Sequence, residues 1–275
     1  MRLPQSGVGH LTVHSCGSSA AISTCTSTYP LKLLSPPCRP SQKAALVFMM
    51  SYGGGLVAGD RVNLHVTVEP NARLALLTQG STKVYKTLGL RSSQSLTATV
   101  EDAALVLLPD PVQPFRDSAF EQRQVFQVTP ASSLLVLDWV SAGRTARGEK
   151  WECSECRTRN EIWMDGRLLL RDNLVLQDRG DIDMDGLEVF GMLVIRGPVF
   201  AGLGEFFLRE YSGLPRVHFG PGEECRWTAG AVRGSVVVKF GSLHVDSARR
   251  WLRQMLLTDG TIEREFGNKA LLSLH

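Results

Sequence analysis

The clearest periodic signal along the chain begins at Arg61. Val62, Leu64, Val66 and Val68 alternate with Arg61, Asn63, His65, Thr67 and Glu69, and a period of two predicts a half-buried β-strand. Glu69-Pro70-Asn71 turns the chain, after which Leu74, Leu76 and Thr78 resume the alternation. The unit recurs: residues 68–76 align with 100–108 and with 128–136, at offsets of 32 and 28 residues. In each copy a small residue sits four places after the leading valine, and aliphatic residues sit six and eight places after it. The alignment puts Leu74, Val106 and Leu134 on one interior face. Near-copies at this period predict stacked strand–turn–strand coils, each burying a face against the next. Three ordinary hairpins of a sandwich also fit, because Pro/Asp turns between β runs are common, and the pattern alone leaves both open.

Further strand-like runs follow at Trp163, 167–170, 173–176, 192–195 and 235–240, with Asp165-Gly166 and Asp185-Gly186 as turn signals. One helix is clear: Ala248, Trp251, Leu252, Met255 and Leu256 form a single apolar face opposite Arg249, Arg250 and Arg253. Asp246 or Ser247 suits its start and Gly260 its end. The Ser/Thr/Gly-rich opening, residues 1–28, is expected to be a loose arm or a pair of edge strands. The fold class is therefore mainly β with few helices, a β-helix-like stack of coils with one C-terminal helix, forming a single domain over residues 29–275.

Composition narrows this picture. Hydrophobic residues are 43% and charged residues 21% of the 275, which excludes wholesale disorder. A net charge of +3 gives no electrostatic case for nucleic acid or an anionic membrane. The longest apolar run, residues 44–50, is far short of the roughly 18 residues of a membrane span. The six cysteines are Cys16, Cys25, Cys38, Cys153, Cys156 and Cys225. The opening lacks the charged start and apolar core of a signal peptide, so reduced thiols and a cytoplasmic location are expected. No acidic residue precedes Asp60. Arg2 is the sole basic residue before Lys32, too few for an Arg-rich transit sequence.

Candidate chemistry is sparse. Cys153 and Cys156 form a C-x-x-C, but zinc needs further ligands, and alternation in a strand would put the two on opposite faces. Gly53, Gly54, Gly55, Gly59 and Asp60 form a glycine-rich loop that runs into a strand and lacks the lysine of a phosphate loop. Asp138 breaks an apolar run, so it is a partly buried carboxylate in need of a partner. A structural ion pair with Arg144 is the plain expectation. The histidines are scattered, and no nucleophile elbow or H-E-x-x-H is present.

Taken in order, these motifs form a recognisable string. It runs from Tyr29-Pro30-Leu31-Lys32-Leu33 to Gly53, Gly54, Gly55, Gly59 and Asp60, then Thr78, Gln79, Thr82, Lys83, Val84 and Tyr85. Pro109, Pro111 and Phe115 follow, and then Asp138, Trp139, Gly143, Arg144, Gly148 and Glu149. The string resembles the urease accessory family UreD, also called UreH, in its eukaryotic form. The likeness is specific over residues 8–180 and loose after Gly186. The Cys153/Cys156 pair departs from the family pattern. The resemblance implies a β-helix-like, non-enzymatic maturation factor that joins UreF-type and UreG-type accessory proteins on apo-urease, with a homodimer inside that complex. It implies nickel in transit through an internal tunnel, with no tightly bound cofactor, no nucleic acid and no membrane. Asp60, Asp138 and Glu149 are the carboxylates on matched motifs and hence the expected metal-path residues. Nickel suits N and O ligands, and a transit path binds weakly at several places. A β scaffold or an enzyme of unknown reaction sharing the fold is the alternative.

Overall fold

The computed structural model describes residues 7–37, 42–177, 184–214 and 225–274. Alternation produces the elements as expected. In β6 (Arg61–Val68), Val62, Leu64, Val66 and Val68 are buried while Arg61 and His65 are exposed. This strand belongs to a first sheet that also holds β1 (Val8–Cys16), β2 (Ser19–Ser27), β9 (Ser92–Val100), β12 (Ala119–Val128), β14 (Glu155–Met164) and β15 (Arg167–Gln177). Its order is β15-β14-β12-β9-β6-β1-β2, parallel from β14 to β1 with an antiparallel partner at each end. Residues 8–27 of the Ser/Thr/Gly-rich opening are therefore not a loose arm but the edge hairpin β1–β2.

The second sheet runs β17 (Cys225–Val232), β18 (Ser235–Ser242), β16 (Val189–Arg196), β13 (Ser133–Ser141), β10 (Ala104–Leu108), β7 (Arg73–Thr78), β4 (Ala45–Ser51) and β3 (Leu31–Leu34). It is parallel from β4 to β13 and antiparallel elsewhere. Three short strands, β5 (Gly55–Leu56), β8 (Thr82–Val84) and β11 (Val112–Pro114), pair in parallel beside it. The chain passes from first sheet to second to short strand, and then repeats. Each repeat lies in register on the last: Val68 faces Val100, which faces Val128.

One register expectation is corrected. Leu74 pairs with Leu105, which pairs with Leu134. Val106 lies one place on, beside Ala75 and Leu135, and it joins the opposite core. The middle turn is one residue shorter than the other two, and a one-residue slip flips a strand side chain to the other face.

The two sheets enclose one core, with Leu64, Leu74, Leu76, Leu105, Phe120, Phe126 and Leu134 in it. The other face of the second sheet, through Leu77, Val106, Leu135 and Leu137, is covered by α1 (Ala201–Gly213), α2 (Val245–Leu257) and α3 (Thr261–Phe266). Each large side chain buried there contributes about 1.5–3 kcal/mol. The expected helix is α2, but His244 is its N-cap and Asp246 lies in its first turn. Gly260, expected to end it, instead adopts a left-handed conformation ahead of α3. The sequence pattern does not mark α1, since Gly202, Gly204 and Gly213 lower its helix propensity. Gly204 has a packing reason, because a Cβ there would lie 3.2 Å from Val236 of β18. Among the described residues no helix is long and apolar enough to cross a membrane.

Candidate functional site

The interior face of the first sheet is apolar except for a stripe in its middle. On β12, Phe120, Gln122, Gln124, Phe126 and Val128 point inward, so two amides interrupt an apolar row. On β14, Thr158 and Asn160 do the same between Cys156 and Ile162. Register aligns them: Gln94 of β9 lies beside Gln122, which lies beside Thr158, and Gln124 lies beside Asn160. Asp138 faces this stripe from β13, whose alternation sends it inward with Leu134, Val136 and Val140.

Asp138 is buried and held by neutral donors. Gln122 Nε2 donates to Oδ1 at 2.7 Å and Asn160 Nδ2 donates to Oδ2 at 2.6 Å. Burial pushes its carboxyl above the usual carboxylate range, against hydrogen bonds from Asn160, Thr158 and Gln122 and with a further push from the charge of Asp172. The expected ion pair with Arg144 does not form. Asn160 is 2% exposed, and its Oδ1 has no hydrogen-bond partner. A desolvated carboxylate beside a buried acceptor oxygen favours a cation.

Three cavities meet around these residues. A mouth of about 270 Å³ lies between residues 49–54 and 78–83. It shares Met49, Met50, Ser51, Thr78 and Thr82 with an inner cavity of about 50 Å³ that reaches Gln94, Gln122, Gln124 and Asp138. The inner cavity shares Asp138 and Trp139 with an outer cavity of about 370 Å³. Asp172, Lys239, Arg226 and Trp227 line the outer cavity, and Lys239 Nζ is paired with Asp172. Asp138 thus lines both the inner and the outer cavity of the inter-sheet core.

The motif residues divide between these cavities and their supports. Gly54, Thr78, Gln79, Thr82 and Lys83 line the mouth. Gly55 lets β5 approach β8, since a Cβ there would lie 2.5 Å from the Lys83 carbonyl oxygen. Gly53 lies in the preceding turn, and Gly59 in the turn that Asp60 closes. Trp139 Nε1 donates to the Pro109 carbonyl at 2.8 Å. Asp110, between the two prolines, accepts from Thr78 Oγ1 at 2.9 Å and from Arg249 Nη2 of α2 at 2.7 Å. Asp60 accepts the Val57 amide at 2.9 Å. Glu149 is paired with Arg144, whose Nε lies at 2.9 Å, and this bond holds its carboxyl below the usual range. Gly143 packs against Pro114, and Gly148 ends the short turn between Arg144 and Glu149. Neither Asp60 nor Glu149 lines any of the three cavities.

Cys153 and Cys156 are not on opposite faces. Cys153 precedes the start of β14, so strand alternation does not separate the pair, and both are fully buried in the inter-sheet core. Burial raises the Cys156 thiol well above its usual value, with the charge of Cys153 adding to it, the environment of an inert thiol. Cys38 lies outside the described residues. Among the described residues no three His, Cys, Asp or Glu side chains are grouped to hold a metal. The arrangement offers isolated oxygen donors around the cavities.

A family model described as "UreD urease accessory protein" matches residues 5–272. The chain belongs to the UreD family. It is 33% identical to "Urease accessory protein 4" of Cryptococcus neoformans var. grubii, over 92% of this chain and 90% of the relative. It is 36% identical to "Urease accessory protein UreD" of Anaeromyxobacter sp., over 92% and 85%. It is 37% identical to "Urease accessory protein D" of Oryza sativa subsp. japonica, over 79% and 73%. The UreD match extends past Gly186, where sequence motifs carried the resemblance only loosely. It therefore takes in the outer cavity and the helical layer.

The side chains that surround Asp138 were missed in the sequence. Their signal was present: Phe-x-Gln-x-Gln-x-Phe and Cys-x-Thr-x-Asn-x-Ile place polar residues at the inward positions of otherwise apolar strands. Asp110 was equally legible as an acid between two prolines.

Proposed function

We propose that this protein is a non-catalytic urease maturation factor that assists nickel delivery to apo-urease. In this reading it acts in the cytoplasm with UreF-type and UreG-type accessory proteins, as a homodimer within their complex. Nickel is cargo in transit, not a resident cofactor. The parallel coils act as a β-helix-like stack, and stacking in register is what keeps the inward polar stripe continuous. Membership of the UreD family supports the maturation role. The observation that carries the delivery role is the pair of inter-sheet cavities that Asp138 lines in common, next to the unpartnered Asn160 Oδ1. One carboxylate and isolated oxygens bind a dication weakly enough to release it onward. The metal path is assigned to Asp138, and Asp60 and Glu149 receive supporting roles because turn and ion-pair contacts occupy them.

Deleting the gene tests the first part: urease protein persists but lacks nickel and activity. A deletion strain with full nickel-dependent activity would overturn the proposal. Asp138→Asn tests the path, because it keeps the volume and removes the charge. Nickel per urease falls at equal levels of soluble accessory protein. Unchanged nickel loading would remove Asp138 from the path.

A further inference from the structure

His10 lies on β1 and His65 on β6, far apart in sequence. The parallel pairing of these strands sets the two residues directly opposite each other. Both occupy outward positions of the first sheet and are exposed. Their rings stack with centroids 5.2 Å apart and planes 16° from parallel. Among the described residues neither ring nitrogen has a hydrogen-bond or ion-pair partner. Along the same row lie Thr26 of β2 beside His10 and Thr97 of β9 beside His65, so the pair is flanked by hydroxyls and not by charges.

We propose that His10 and His65 form a surface site for a borderline divalent transition cation of the nickel class. Adjacent strands lie about 4.7–4.9 Å apart. Two in-register side chains on one face are therefore within reach of a single ion at imidazole–metal distances of about 2.0–2.1 Å. The rings are exposed, so rotation about their side-chain torsions brings one nitrogen of each to the ion without backbone movement. Imidazole suits nickel, copper and zinc, whereas magnesium and calcium take oxygen ligands. The remaining coordination positions are open to water or to another protein's donors, which makes this an exchangeable site. It is on the opposite face of the sheet from the cavities, and it does not depend on the maturation role.

The test titrates the full-length protein with Ni²⁺ alone, in the wild type, in His10→Gln, in His65→Gln and in the double variant. Surface substitutions of this size leave the melting temperature unchanged. One nickel per chain is lost in the double variant, and each single variant weakens that site by at least about tenfold, because two tethered ligands act at high effective concentration. Excess Mg²⁺ does not displace the ion. In proton spectra Ni²⁺ broadens the His10 and His65 ring signals before those of His14 and His244. Equal nickel binding in wild type and double variant overturns the site, as does loss in only one single variant, which would mean a lone imidazole. Because no urease is present, either result leaves the maturation role untouched.

Discussion

Glu149 meets Arg144 through two hydrogen bonds and also accepts the Arg116 amide at 3.4 Å. The Arg144 guanidinium in turn lies 4.8 Å from the centre of the Phe115 ring. This knot fastens the segment between β13 and β14 to the loop before β12. Its contribution depends on charge. A carboxylate held below its usual range stabilises the fold fully above the unfolded value of about 4.3, and the benefit is lost as pH falls through the depressed folded value. Glu149→Gln should therefore lower the melting temperature at pH 7 by about 2–4 °C, the effect of roughly 1 kcal/mol in a chain of this size. The gap to wild type should close in acid below about pH 4. Melting curves across that range check it, and a gap independent of pH would show that shape and not charge matters. Asp138 carries the opposite sign. Its carboxyl is raised by burial, so ionising it costs the fold stability as pH rises, a cost consistent with a retained functional group.

Among the elements, strand pairing sets the register and α2 locks the result. The shorter turn between β9 and β10 still leaves Leu105 over Leu74, because the strand partners, not the residue count, decide the pairing. Arg249 reaches from α2 to Asp110, a buried acid that burial raises and that Thr78 and Arg249 hold. Helix α2 is thus tied to the loop beneath the inner cavity. Arg249→Met leaves that carboxylate without its counter-ion, and urea unfolding should show a loss of about 3 kcal/mol. Adding Asp110→Asn should restore most of it. Additive losses in the double variant would mean the two residues act independently. The sequence reading put Arg249 on the polar face of the helix, which is where it is. That the polar face contacts a buried acid is not visible in a helical wheel.

Across the whole molecule, the proposed path runs from the mouth through the inner cavity to the outer cavity. Ser81 lines only the mouth and Thr228 only the outer cavity. Ser81→Trp and Thr228→Trp place bulk at opposite ends while sparing the core. If nickel moves through the protein, each alone should cut nickel per urease several-fold with the melting temperature unchanged. Wild-type loading in both would mean that cargo does not use the interior. Much of this architecture was legible from local pattern. The period-two strands, the repeat near thirty residues and the apolar face of α2 follow from side-chain geometry along one segment, and local geometry is written in the chain. The ordered glycine, threonine and Asp-Trp motifs likewise marked the family. What the sequence determined, then, was the alternation within each strand and that similar units recur. Tertiary structure alone decided which residues meet: Asp138 with Gln122 and Asn160, Arg144 with Glu149 and not with Asp138, and His10 with His65. Each of these contacts joins strands or loops whose adjacency is set by how strands far apart in the chain pair into sheets. The driving force for that pairing is burial summed over the entire core, so no single segment encodes it.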